Sequence, residues 1–257
     1  MLQVFRQPRS KQIKKGIRML LNHPIAFWPF LYHRLFPSPK DYRKRFQMTM
    51  REWFLHHEHN IVYDKAHWMG TQILKNPFDM WIYQEMIYKI QPDVLVEIGS
   101  YKGGSTLCFA HLMDIIGHGQ VVSVDIDRTE YHVSHPRIVT VTGDSAAPEV
   151  VAKVHELCKG KTVLVIQDGS HDMLPVLDDL RNYAPLVTKG SYFVVEDTVY
   201  DLFFPANEID GYEGGAYNAV VRYLKEDPTF EPDPECERYL FTNHPRGFLK
   251  KVGVITK

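Results

Sequence analysis

The chain has 257 residues, 44% hydrophobic and 24% charged, with 16 Gly, 16 Pro and three Cys. This is a globular balance, which excludes disordered, collagenous and low-complexity classes, and no apolar run approaches the roughly 18 residues needed to cross a membrane. Cys108, Cys158 and Cys236 are scattered and odd in number, so they form neither a disulfide framework nor a zinc knuckle and point to reduced thiols in the cytoplasm.

The net charge of −1 conceals an asymmetry. Residues 1–47 carry 11 Lys/Arg against one acid, Asp41, while the remainder carries 19 against 30. The basic head reads as a helix over 10–22, then a proline-broken aromatic stretch over 23–32, then Pro37-Ser38-Pro39. Interrupting prolines and the closing His33-Arg34 argue against a secretory leader. Trp28, Phe27, Phe30 and Tyr32 beside clustered Lys/Arg suit an anionic lipid surface. The plainer reading is that they pack on the body or on a second copy of the chain. Nucleic acid is a poor partner, because the acidic body repels phosphate.

The elements that follow alternate. A helix is expected over 48–59, then a loop at Trp68-Met69-Gly70, then a helix opening at Asn76-Pro77 and running to Ile90. Short apolar strands are expected at 94–98, 121–124, 138–141, 163–166 and 192–195, with helices at 105–116, 148–158, 174–183 and 216–225 between and after them. Two last strands, 238–241 and 247–254, flank the turn Asn243-His244-Pro245. This order predicts an α/β fold: a doubly wound, mostly parallel sheet covered on both faces, with an antiparallel terminal hairpin and a helical N-terminal extension. The domain boundary falls near residue 60, giving a basic helical extension over 1–60 and the α/β domain over 61–257.

Ligands of such sheets bind at the carboxyl ends of the strands, and here each parallel strand ends in an acid or a glycine. Glu97-Ile98-Gly99-Ser100-Tyr101-Lys102-Gly103-Gly104-Ser105 joins strand to helix. It is not the dinucleotide fingerprint, since Tyr101 replaces the second glycine, and it is not a P-loop. The next strand ends at Asp125, 26 residues after Gly99, where a carboxylate can accept both hydroxyls of a ribose. The third ends Gly143-Asp144-Ser145, placed to meet an adenine edge. An acid and glycine loop, a ribose acid and an adenine loop, in that order, predict S-adenosylmethionine as cofactor. The residues expected to hold it are Glu97, Gly99, Ser100, Gly103, Ser105, Asp125, Asp144, Ser145 and Asp168.

Two later strands end at Asp168 and at Glu196-Asp197. If those strands are neighbours, three carboxylates converge in a partly buried cleft and repel one another unless a cation joins them. All-oxygen ligands favour Mg²⁺ or Mn²⁺. The plainer reading is three solvated strand-end acids or helix caps. His171, three residues beyond Asp168, is a candidate base or a residue that orients its loop. His56-His57-Glu58-His59 could begin an iron site, but reads better as a solvated helix face.

The chain also resembles a known family. Trp68-Met69-Gly70, Lys75-Asn76-Pro77-Phe78-Asp79, Tyr83-Gln84-Glu85, Glu97 to Ser105, Asp168-Gly169-Ser170-His171, Gly190 to Asp197 and Asn243 to Leu249 look like the cephalosporin hydroxylase/rhamnosyl O-methyltransferase family. The likeness spans about residues 60–254, and Gly169 departs from the family's usual residue. It implies a Rossmann-like class I S-adenosylmethionine-dependent methyltransferase with Mg²⁺ on Asp168, Glu196 and Asp197. His171 matches the base of related sugar O-methyltransferases. The expected reaction is O-methylation of a hydroxyl on a sugar, rhamnosyl or another deoxysugar, in a glycolipid, polysaccharide or glycosylated metabolite. The alternatives are a hydroxylase and a non-catalytic cofactor-binding partner of a tailoring enzyme. A small-molecule or glycan substrate, a homo-oligomer and a cytoplasmic location, peripheral to the inner face of the membrane through residues 1–47, complete the expectations.

Overall fold

The computed structural model describes residues 42–203, 214–239 and 241–253. The expected helix over 10–22 and the aromatic stretch lie outside the described residues. The chain divides into two compact units at Ala66/His67.

In the first unit, α1 (Tyr42–Arg45) is followed by α2 (Met50–His57). A capping box starts α2: the Glu52 N–H donates to Thr49 Oγ1 at 3.2 Å, and the Thr49 N–H donates to Glu52 Oε2 at 2.8 Å. The helix widens into a π-turn over Glu58–Val62 and ends as α3 (Tyr63–Lys65). His57 stacks on Trp53 at 4.8 Å and His56 Nδ1 meets Asn60 Nδ2 at 3.1 Å. Neither belongs to a cluster with metal-ligand spacing among the described residues.

The second unit opens with a two-stranded ribbon, β1 (His67–Trp68) and β2 (Thr71–Gln72). Met69 and Gly70 both have positive φ, as a tight hairpin turn between twisted strands requires. Then α4 (Pro77–Ile90) starts where expected, with Asn76 Oδ1 accepting the Phe78 N–H at 3.1 Å and proline in the first turn.

The sheet follows as β3 (Val94–Ile98), β4 (Gln120–Asp125), β5 (Ile138–Thr142), β6 (Val163–Gln167), β7 (Tyr192–Val195), β8 (Phe230–Pro232) and β9 (Phe248–Lys251). The helices between and after these strands are α5 (Gly104–Ile116), α6 (Pro148–Cys158), α7 (Met173–Tyr183), α8 (Val199–Phe203) and α9 (Ala216–Glu226). Spatial order is β5-β4-β3-β6-β7-β9-β8, with β5 to β7 parallel and β9 antiparallel to both its neighbours. The chain winds outward from β3 to β5, then restarts beside β3 at β6, so the switch point lies between β3 and β6. An open α/β sheet presents its ligand crevice there.

One expected strand is corrected. Residues 234–237 form a short 3₁₀ helix and Arg238 and Tyr239 are not strand; the partner of β9 is β8, which begins at Phe230 and not at the expected Arg238. Pro234 in the 3₁₀ turn and the Asp233 carboxylate that accepts the Glu235 N–H stop β8.

Side chains alternate between two cores. Val94, Val96 and Ile98 of β3 pack with α6, α7 and α9, whereas Leu95 packs with Ile82, Tyr83 and Met86 of α4 and Phe109 and Met113 of α5. The same alternation sends Val165 and Phe193 to the first face and Leu164, Ile166 and Val194 to the second. On the first face Asp179 of α7 is 2% exposed, and one of its oxygens accepts a long hydrogen bond from Gln167 at 3.4 Å. Burial pushes its carboxyl up to about 6, against hydrogen bonds from Ser145 and Gln167. A carboxyl whose folded pKa lies above its unfolded value loses stability as pH rises through the folded value. Asp179→Asn should therefore stabilise the protein at pH 8 by on the order of 1–2 kcal/mol, the gain shrinking toward pH 5, as urea unfolding at the two pH values will show.

Candidate functional site

Strand alternation builds the site. Counting along the second face, Leu95 leads to Glu97, Ile166 to Asp168 and Val194 to Glu196, so three acids reach the carboxyl edge on the side of α4 and α5. Backbone hydrogen bonds extend the ladder to them: the Asp168 N–H donates to the Ile98 carbonyl at 2.7 Å, and the Glu196 N–H to the Gln167 carbonyl at 3.0 Å. Gly99 is required at this junction. Its φ is +83°, and a Cβ would overlap the Asp168 carbonyl.

A lysine stands among these acids. Lys75, the residue before the α4 cap, donates to Asp168 Oδ2 and, at 2.6 Å, to Glu196 Oε2. The other Glu196 oxygen accepts the Tyr83 hydroxyl at 2.7 Å. The Lys75 and Glu196 side chains are each 2% exposed. Burial works against the ammonium, but Asp168, Glu196 and Glu97 outweigh it and raise the Lys75 pKa. Burial, reinforced by Glu196, pushes Asp168 up to about 7 despite Lys75. Glu97 is fully buried; its Oε2 accepts the Thr106 hydroxyl, and its Oε1 has no partner among the described residues. Burial raises its pKa too, opposed by Lys75.

Asp168, His171 and Asp197 bring one ligand atom each within 4.8 Å of one another. His171 Nε2 lies 3.6 Å from Asp197 Oδ2, and the His171 side chain is 45% exposed. Of the expected metal trio, Asp168 and Asp197 thus converge with His171, and Glu196 and Asp197 share a second ligand-spaced group with His244, although both Glu196 oxygens are engaged by Lys75 and Tyr83. Asp197 has φ +59°. This left-handed conformation is uncommon for a side chain larger than glycine and is concentrated at functional sites. It is held by His244, whose Nδ1 accepts the Asp197 N–H at 3.0 Å. The His244 proton therefore sits on Nε2, which is 3.5 Å from Asp79 Oδ2 and 3.9 Å from Glu196 Oε2. Asp79 in turn accepts the Thr242 hydroxyl at 2.6 Å and the Asn243 N–H at 2.9 Å.

The glycine loop is fixed by two side chains. Asp125 Oδ2 accepts the Ser100 and Tyr101 N–H groups, each at 2.8 Å. Arg128 donates to Ser100 Oγ at 2.6 Å and to the Ser123 carbonyl at 2.6 Å. Asp125, expected to meet a ribose, thus anchors the loop. Gly103 caps α5 with φ +83°, and a Cβ there would meet the Tyr131 ring at 2.7 Å. Ser105 is buried in the first turn of α5 beside Glu97. Asp144 is exposed at the end of β5, its carboxylate folded onto the Ala146 N–H at 2.9 Å, and the Ser145 carbonyl accepts the Tyr183 hydroxyl at 2.6 Å.

Lys75, Tyr83, Asp79 and His244 carry no assigned chemistry in the sequence reading, although all four lie in segments quoted for the family resemblance. The fit to the implied groups can be tested on these atoms. Three carboxylates (Asp168, Glu196, Asp197) against one ammonium leave two negative charges, which suits a divalent cation. The unpartnered Glu97 Oε1 is a buried acceptor lacking a donor, which suits a ligand ammonium.

A class I methyltransferase fold is the architecture this sheet order and strand-end site define. A family model described as rhamnosyl O-methyltransferase/CmcI matches residues 60–252. The chain is 35% identical over 198 residues to a rhamnosyl O-methyltransferase of Mycobacterium leprae (strain TN), covering 74% of this chain and 85% of the relative. It is 32% identical over 199 residues to the enzyme of the same name from Mycobacterium bovis (strain BCG / Pasteur 1173P2), covering 74% and 80%. Among solved structures, one described as CmcI-D160 with Mg and S-adenosylmethionine superposes with a TM-score of 0.58 at 20% identity over 84% of this chain and 88% of that one. An apo structure of CmcI-N160 gives the same TM-score of 0.58 over 85% and 88%. The chain belongs to the rhamnosyl O-methyltransferase/CmcI family.

The Gly99 junction yields a direct check. Gly99→Ala forces both a positive φ on alanine and a clash with the β6 end, so it should cost about 2–4 kcal/mol of stability. A urea midpoint indistinguishable from wild type would contradict the packing described.

Proposed function

We propose that the chain is an S-adenosylmethionine- and Mg²⁺-dependent O-methyltransferase acting on a sugar hydroxyl. The observation that carries this reading is the convergence of Asp168, His171 and Asp197 within 4.8 Å at the carboxyl edge, beside the switch point of the sheet. The sugar comes from the relatives, which are named for methylating rhamnosyl groups. Those names give the hydroxylase alternative no support. In this reading residues 61–257 form the catalytic domain and 1–60 a basic extension.

Bound S-adenosylmethionine supplies an electrophilic sulfonium methyl, and a bound Mg²⁺ or Mn²⁺ polarises the acceptor oxygen. Glu97, through Oε1, and the loop of Gly99, Ser100, Gly103 and Ser105 hold the donor, with Asp125, Asp144 and Ser145 on the nucleoside side. Asp168, Glu196 and Asp197 would hold the cation. His171 is half exposed at the mouth, where an incoming hydroxyl can reach its ring. Its imidazole takes the hydroxyl proton as the oxygen gains the methyl. Asp197 Oδ2 lies 3.6 Å from the Nε2 of that ring.

Transfer of labelled methyl from S-adenosylmethionine to a panel of rhamnosides and other deoxysugar glycosides tests the reading; EDTA should abolish transfer and Mg²⁺ or Mn²⁺ restore it. His171→Ala should lower turnover by about 10²–10⁴-fold with S-adenosylmethionine affinity unchanged by calorimetry. An equal loss of both would contradict its role as base. For location, we propose that the basic, aromatic residues 1–47 attach the enzyme to the anionic inner face of the membrane. Sedimentation with anionic vesicles should be lost when residues 1–47 are removed, and unchanged sedimentation would refute it.

A further inference from the structure

Among the described residues Lys75 is the buried lysine; no other lysine or arginine is buried. Its position is fixed at both ends. Asn76, the next residue, caps α4 and donates from Nδ2 to Asn243 Oδ1 at 2.9 Å, so the backbone at Lys75 is tied to the segment that carries His244. At the other end the ammonium bridges Asp168 and Glu196, while Tyr83 holds the second Glu196 oxygen in place. Such a bridge does what a cation would do there: it joins carboxylates that otherwise repel at close range in a dry site.

We propose that Lys75 is the built-in counter-ion of the metal-free site, and that its ammonium and a divalent cation compete for the Asp168 and Glu196 carboxylates. This rests on the Mg²⁺ reading above and adds a residue to it. Lys75 is a positioning residue in this account, since it acts through the carboxylates. Two consequences follow from charge alone. Removing the ammonium leaves three carboxylates uncompensated, so the metal-free protein loses stability. It also removes a positive charge that opposes the incoming ion, so the ion binds more tightly.

The experiment uses the full chain as wild type, Lys75→Met and Lys75→Gln, the last keeping a hydrogen-bond donor without the charge. Mn²⁺ binding is read by electron paramagnetic resonance and thermal unfolding is followed in EDTA and in saturating Mg²⁺. Variants are purified with Mg²⁺ and then stripped, so that poor folding of the metal-free form is itself measured. Both variants should bind Mn²⁺ about tenfold more tightly or better. Lys75→Met should melt roughly 5–10 °C lower in EDTA, with most of the loss recovered by Mg²⁺. Unchanged or weaker Mn²⁺ binding overturns the proposal, as does a loss of stability that Mg²⁺ does not recover. Absence of Mn²⁺ binding in all three proteins would sink the Mg²⁺ reading together with it. Binding to wild type with no gain in the variants sinks the Lys75 proposal alone.

Discussion

The repulsion among acids at one end of a sheet is the constraint on which the site depends. Glu97, Asp168 and Glu196 follow apolar residues of β3, β6 and β7 on one face, and the alternation that buries Leu95, Ile166 and Val194 also buries Glu97 and Glu196 and leaves Asp168 partly buried beside them. A buried carboxylate left alone is neutralised or unfolds its surroundings. Here Lys75 and the Tyr83 hydroxyl meet Glu196, Lys75 meets Asp168, and Thr106 meets one oxygen of Glu97. What these partners leave unmet, two net charges and one orphaned Glu97 oxygen, is the chemistry left for a divalent ion and a cationic donor.

The rest of the fold serves that end of the sheet. Residues 242–244 return from the far edge to place His244 under Asp197 and the Asn243 N–H on Asp79. The left-handed Asp197 therefore depends on a residue 47 positions later, and Asp79, at the start of α4, is enclosed by the same return. Asp125 and Arg128 do comparable work for the glycine loop, tying Ser100 to the ends of β4 and β5. Such over-determined geometry is what holds a site rigid before its ligands arrive.

Much of this was legible in the sequence because the signals are local. The helix at Pro148–Cys158 and the strand at Tyr192–Val195 fall on their expected bounds, and Asn76-Pro77 starts α4 as a cap and first-turn proline should. Acids and glycines at the strand ends marked the carboxyl edge. Lys75 was not legible, since its partners lie 93 and 121 residues away and no periodicity links them. The same distance hid Tyr83 and His244. The edge strand was misplaced because Tyr239 and Phe241 are strand-favouring residues, whereas β8 is three residues ending in proline and its pairing depends on β9.

A crystal of the protein grown with Mn²⁺ and S-adenosylhomocysteine, with anomalous data at the manganese edge, tests the central claim most directly. The account predicts an anomalous peak within bonding distance of the Asp168 and Asp197 carboxylates, with the nucleoside product along the loop from Gly99 to Ser105. A fully bound product with no anomalous peak at those carboxylates, and the Lys75 ammonium still bridging Asp168 and Glu196, would contradict it.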